Sequence, residues 1–252
     1  MERKDFLKGL GLVGLGSLAV PIINACNSDD DASTDSSATD TTEATDTGSS
    51  SGSSTCSVTP SETAGPFPTK SPSSLVKSDI TSDRTGIPLT INITIQNKNA
   101  SCAALAGAIV DIWHCDKDGY YSEYGGTGMQ SADFTSVHFL RGRQTTNANG
   151  LVNFTSIFPG WYSGRATHIH VHIYNSSGTS LLVTQIAFPE GSGSAVVLVN
   201  ASTANGYTKG MSGYTYNAND NVFSDGVSAE LSTVTGSVAA GFVLTHTINV
   251  AG

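Results

Sequence analysis

The chemistry-bearing residues of this chain concentrate at His168-Ile169-His170-Val171-His172. Alternate residues of a strand share a face, so His168 and His170 point the same way if this run is a strand. Two imidazoles so spaced can bind one metal ion, although a His-x-His pair alone also arises in purely structural settings. His172 shares that face but lies about 6.6 Å beyond His170 along the strand. Two further segments bring phenols and a cation to the argument. Pro159-Gly160-Trp161-Tyr162-Ser163-Gly164-Arg165 leads into His168, and Ile112-Trp113-His114-Cys115-Asp116-Lys117-Asp118-Gly119-Tyr120-Tyr121-Ser122 lies upstream.

The elements that must position these residues read as β. Residues 87–97, Ala108–Trp113, Leu151–Ile157, His168–Tyr174, Leu181–Phe188 and Gly241–Val250 alternate apolar and polar residues with period two. Turn signals separate them: Asn149-Gly150, Pro159-Gly160, Ser177-Gly178, Asn205-Gly206 and Asp225-Gly226. There is no long stretch of helical period and no internal repeat. Several short strands without a βαβ rhythm predict an antiparallel β-sandwich. Only short helical turns should interrupt it, near Ser131–Phe134 or Ser228–Val234. Trp113 and Phe154 read as core residues, and His114, His138 and His246, which lack a paired spacing, as structural.

The spaced features resemble the intradiol ring-cleavage dioxygenases, in particular an exported, lipoprotein-type subgroup. The likeness runs from Thr63-Ala64-Gly65-Pro66-Phe67 through Gly107–Ser122, Arg141-Gly142 and Gly150–His170 to Gln185, in one order. The resemblance implies a non-haem Fe(III) site with two tyrosine and two histidine ligands. Tyr121 matches the first tyrosine, two residues after Gly119, and Tyr162 the second, in the Pro-Gly-x-Tyr motif. His168 and His170 match the His-x-His pair. Arg165 matches the family's active-site arginine and Gln185 a glutamine on the next strand. A strand would send Tyr120 to the face opposite Tyr121, so both could serve one metal only across a bulge. The family register selects Tyr121.

These residue types suit the implied chemistry. Ferric iron is a hard acid that favours anionic oxygen, which tyrosinates supply, with histidines completing the set. A phenol of pKa about 10 ionises at neutral pH only beside such a charge. A catechol-type substrate would displace Tyr162, whose phenolate would take a substrate proton. Dioxygen would then be inserted between the two hydroxylated carbons to give a muconate-type diacid. Arg165 would stabilise developing negative charge; its plain alternative is a surface ion pair.

The remainder of the chain concerns address rather than chemistry. Residues 2–8 are a short basic stretch followed by an apolar run that ends at Cys26. This is the pattern of a signal peptide over residues 1–25. Arg3-Lys4 stands where a twin-arginine signal has two arginines, which leaves the export route open. Ile23-Asn24-Ala25-Cys26 resembles a lipobox, with Asn24 an imperfect fit. It implies that Cys26 is acylated and anchors the chain to a lipid bilayer at the cell envelope. Residues 27–55 contain no aromatic residue and no Leu, Ile, Val or Met, and so read as a disordered tether over 26–55. Of the net charge of −9, about −7 falls on residues 27–55 and only about −3 on the domain expected at 56–252. The acidity excludes nucleic acid as a partner, because phosphate binding needs a basic face.

Beyond Cys26 there are three cysteines, Cys56, Cys102 and Cys115, enough for one internal disulfide whose pairing stays open. The long helical N-terminal region through which cytoplasmic relatives dimerise has no counterpart here, so the oligomeric state is open too. Two other readings compete. A lipid-anchored β-sandwich that only binds a glycan or protein explains the signal, the tether and the strands. It leaves the Tyr, Tyr, His, His set without a role. A zinc hydrolase would use His168, His170 and His172.

Overall fold

The computed structural model describes residues 56–252; the signal sequence, Cys26 and the tether lie outside the described residues. Nine strands run through the domain. They are β1 (Pro88–Asn97), β2 (Ala103–Ala104), β3 (Ile109–Trp113), β4 (Arg141–Thr145), β5 (Leu151–Ile157), β6 (His168–Tyr174), β7 (Ser180–Ala187), β8 (Thr233–Ser237) and β9 (Gly241–Val250). One sheet has the order β2-β1-β9-β8, with β5 also on β1. The other has the order β4-β3-β6-β7. The fold is the expected all-β sandwich, antiparallel except for β1 against β9, which run parallel with Ile91 opposite Leu244.

Period-two burial forms the core between the sheets. Leu89, Ile91, Ile93 and Ile95 of β1 and Phe242, Leu244 and Ile248 of β9 meet Ile169, Val171 and Ile173 of β6. Fully burying each such side chain is worth about 1.5–3 kcal/mol. Because the isoleucines and Val171 of β6 face this core, alternation turns His168, His170 and His172 to the opposite face. There, loops rather than a third sheet cover His168 and His170.

One expectation is corrected. The helical turns do not fall at 131–134 or 228–234. At the first, Phe134 pairs its backbone with Tyr124 and Glu123 across a loop, and the second leads into β8. The helix is instead α1 (Ala195–Asn200), entered through a Ser194 cap that accepts the Val197 N–H. Trp113 and Phe154 are both buried core residues as expected, Phe154 in the main core and Trp113 in a second core cluster with Phe67, Cys115 and Tyr121. Of the three cysteines, Cys56 and Cys102 form the disulfide and Cys115 is free and buried.

Candidate active site

β6 supplies the two central donors. His168 donates from Nδ1 to the Ala166 carbonyl oxygen at 2.6 Å, which fixes the tautomer and leaves Nε2 a bare lone pair. That Nε2 lies 3.1 Å from Nε2 of His170 and 3.2 Å from the hydroxyl of Tyr121. Burial, then the nearby Arg165, pushes the His168 pKa down to about 3. Burial, then His168, holds His170 well below the ordinary imidazole range. Both rings are therefore neutral, with lone pairs free to ligate. Burial raises the Tyr121 phenol well above its usual value, so only a strong local cation would ionise it.

The surrounding structure sets each donor. The indole of Trp113 stacks on His170, centroids 4.9 Å apart and planes 1° apart. Gly65 also approaches so closely that a Cβ there would come within 2.9 Å of the imidazole. Tyr121 follows a turn built on Asp116, whose carboxylate accepts the N–H groups of Asp118 and Tyr120. Gln130 then clamps the Tyr121 backbone, accepting its N–H at 2.7 Å and donating to its carbonyl at 2.8 Å. The buried Arg141 donates to the carbonyls of Phe67 and Ser122, which holds together the two loops carrying Phe67 and Tyr121.

Tyr162 stands apart from this trio. It lines the same cavity, with its ring edge-on to Tyr121 at 6.2 Å, but its hydroxyl donates to the Met129 carbonyl oxygen at 3.0 Å. The cavity holds about 350 Å³ and is lined by Tyr121, Tyr162, Arg165, His168 and His170, with Thr63–Phe67 and Asn221–Val222 as its sides. Arg165 is no surface ion pair. Asp220 accepts its Nε–H, and its Nη2 donates to Gln185 Oε1 at 2.6 Å. Gln185 is fully buried and does not line the cavity. It acts through Arg165 and through Thr63, whose carbonyl its amide holds at 2.8 Å.

Other residues separate cleanly. Tyr120 points toward Phe134, away from the histidines. His172 is engaged by Ser180 and Tyr174, so the three-histidine zinc arrangement is not formed. His114 bonds Ser156 and the Cys115 carbonyl, and His138 bonds Glu123, each within its own structural contacts. Asp220, Gln130, Arg141 and Met129 were not assigned roles from sequence; all but Arg141 lie on irregular loops without a periodic signal, and Arg141 was noted only as part of a motif.

The donor set fits a ferric ion. Two imidazole nitrogens bound in adjacent positions to one metal at about 2.1 Å sit about 3 Å apart, close to the spacing of the His168 and His170 Nε2 atoms. Tyrosine oxygen at that apex suits a hard, high-charge metal.

A family model described as Dioxygenase matches residues 65–209, which span all six site residues from Tyr121 to Gln185. Catechol 1,2-dioxygenase 1 of Acinetobacter lwoffii is 30% identical over 123 residues, covering 42% of this chain and 37% of that protein. Chlorocatechol 1,2-dioxygenase of Rhodococcus opacus is 28% identical over 143 residues, covering 49% and 51%. The chain thus aligns with about half or less of the length of these curated relatives. An intradiol ring-cleavage dioxygenase from Tetranychus urticae superposes with a TM-score of 0.67 at 27% identity, covering 77% of this chain and 95% of that one.

Proposed function

The chain belongs to the intradiol ring-cleavage dioxygenase family, and on that premise we propose that it opens catechol-type rings with dioxygen at the cell envelope. Fe(III) would be held by Tyr121, Tyr162, His168 and His170. The ring bond between the two hydroxylated carbons breaks, and both atoms of O2 enter the muconate-type diacid. The observation that carries this reading is the contact of Tyr121 Oη, His168 Nε2 and His170 Nε2 at the floor of a cavity walled by Tyr162 and Arg165. Acylation of Cys26 would tether the domain to the bilayer.

When bound, ferric iron would supply a Lewis-acidic centre that draws electron density from the diol and so readies its ring for attack by dioxygen. The protein residues do the rest. His168 is held in its ligating tautomer by Ala166, and His170 in its orientation by Trp113 and Gly65. Tyr162 Oη accepts a proton from the incoming diol. Once neutral, its hydroxyl donates to Met129, the hydrogen bond present in this structure. Arg165 offers a guanidinium to negative charge growing on the substrate, and Asp220 and Gln185 fix its direction. Phe67 stacks on Tyr121 at 4.9 Å and keeps water from that side of the site. A cavity of about 350 Å³ suits a single substituted ring.

The test is metal analysis of purified protein with a visible spectrum before and after catechol, together with oxygen uptake and product analysis. The expected result is about one iron per chain, a tyrosinate-to-iron colour that changes with catechol, and one O2 consumed per diacid. Protein that stays colourless after iron loading, or iron-loaded protein that leaves catechol intact, refutes the proposal.

A further inference from the structure

A second cluster of ligating groups lies away from the histidines. Glu62, Asp225 and Glu230 each present a carboxylate oxygen, and these atoms lie within 4.8 Å of one another. Among the described residues none of the three forms an ion pair. The nearest guanidinium, Arg165, is engaged by Asp220 and Gln185.

Glu230 makes this more than a solvated acidic patch. Its side chain is 0% exposed; Oε1 accepts only a long bond from Thr184 Oγ1 at 3.3 Å, and Oε2 is buried with no partner. A buried, half-satisfied carboxylate beside two more carboxylates is costly unless something positive is shared among them. Burial, with Glu62 and Asp225 adding to it, pushes the Glu230 pKa up to about 8.

We propose that Glu62, Asp225 and Glu230 form a calcium site that clamps the two chain segments flanking the active-site cavity. The donors are all oxygen, which selects a hard divalent cation over zinc or copper. Three atoms no more than 4.8 Å apart share a centre no more than about 2.8 Å from each, a span that admits the 2.3–2.6 Å of calcium–oxygen bonds, and calcium's flexible shell tolerates three unsymmetric carboxylates where magnesium demands near-ideal octahedral geometry. Asp225 is exposed, so water can complete the coordination shell.

The topology gives the ion its purpose. β7 is an edge strand, and both segments dock on it: Glu62 N–H donates to Val183 O, and Ala187 N–H donates to Glu230 O. From Glu62 the chain runs directly into Thr63–Phe67, one side of the cavity. Between Asp220 and Asp225 lie Asn221 and Val222, the other side. An ion between them would tie both sides together behind Arg165.

Calcium itself is the probe. The full chain, dialysed into metal-free buffer without chelator, should bind one calcium per chain by equilibrium dialysis, and its thermal midpoint should rise with calcium concentration. Hydrogen exchange across 220–230 should slow on calcium addition. Asp225→Asn, at the surface and so safe for folding, should weaken binding on the order of tenfold, and Glu230→Gln should abolish the midpoint shift. No uptake at millimolar calcium overturns the site and leaves a protonated Glu230 as the explanation of the cluster. Uptake unchanged in Asp225→Asn also overturns it, and assigns the calcium to acidic residues elsewhere in the chain.

Discussion

Asp220 accepts the Nε–H of Arg165 on both carboxylate oxygens, each 2.8 Å away, and so aims the guanidinium at the cavity from 55 residues further along the chain. The same carboxylate accepts the Ala166 N–H at 2.7 Å, two residues before His168. One acidic group thereby sets both the cation and the start of the histidine strand.

Arg165→Ala touches no proposed ligand. Iron content and resting colour should survive while kcat for ring cleavage falls on the order of a hundredfold, the scale of losing one charge-stabilising donor. Asp220→Asn keeps the guanidinium but loosens its anchor, so it should fall less. Steady-state oxygen uptake on iron-matched samples reads both. Wild-type turnover in Arg165→Ala would mean that the active site is misplaced.

The proposed ligands should divide by role. His170→Ala removes a neutral donor packed against Trp113 and Gly65, so iron, colour and turnover should go together. Tyr162→Phe removes the phenol that bonds Met129. It should retain part of the iron, shift the visible band and slow catechol binding, because the proton acceptor is gone. Stopped-flow spectra with catechol separate the two outcomes. Equal iron loss in both variants would contradict the assignment of Tyr162 as the displaceable ligand.

Much of this was legible in the residues themselves. Strands β5, β6 and β9 begin and end where their alternation does, because one face of each meets the core and the other does not. β4 escaped notice because its Arg-Gly-Arg-Gln-Thr carries no apolar face: Arg141 is buried among loop carbonyls and Arg143 pairs with Asp111. α1 escaped because its β-branched run, Ala-Val-Val-Leu-Val-Asn, is strand-like; a Ser194 cap and burial of Val196 and Val199 decide for helix. In the site, Tyr121, Arg165, His168 and His170 sit in motifs of fixed spacing. Asp220 and Gln130 do not, since their partners are set only by how loops return to the sheet.

The N-terminal reading makes a separate prediction. A chain begun at residue 54 retains Cys56, and with it the Cys56–Cys102 disulfide, so it should fold, hold iron and turn over catechol like the whole. In the full chain, Cys26→Ala should move the protein from the membrane to the soluble fraction on detergent partitioning. Continued membrane association in that variant would rule out the lipid anchor.

Acid stability should respond to His246. It sits on the inward face of β9 with Phe242 and Leu244, its Nε2 buried without a partner, and burial pushes its pKa down to about 4. Above about pH 6.5 the ring is neutral in folded and unfolded chains alike, so it adds no pH dependence. Between about 6.5 and 4 the unfolded chain takes up a proton that the folded one refuses, and stability falls with pH by about 1.4 kcal/mol per unit, about 3 kcal/mol in all. Below that window both forms are protonated and the loss levels off. His246→Leu removes the titration and the orphaned nitrogen, at the cost of the ring's hydrogen bond to the Leu231 backbone. At pH 7 the variant should therefore lie within about 1 kcal/mol of wild type. Urea unfolding of both proteins at matched pH should then show a gap that widens in favour of leucine as pH drops from 6.5 to 4. A gap that stays constant over that range would show that His246 takes up its proton in the folded chain as readily as in the unfolded one.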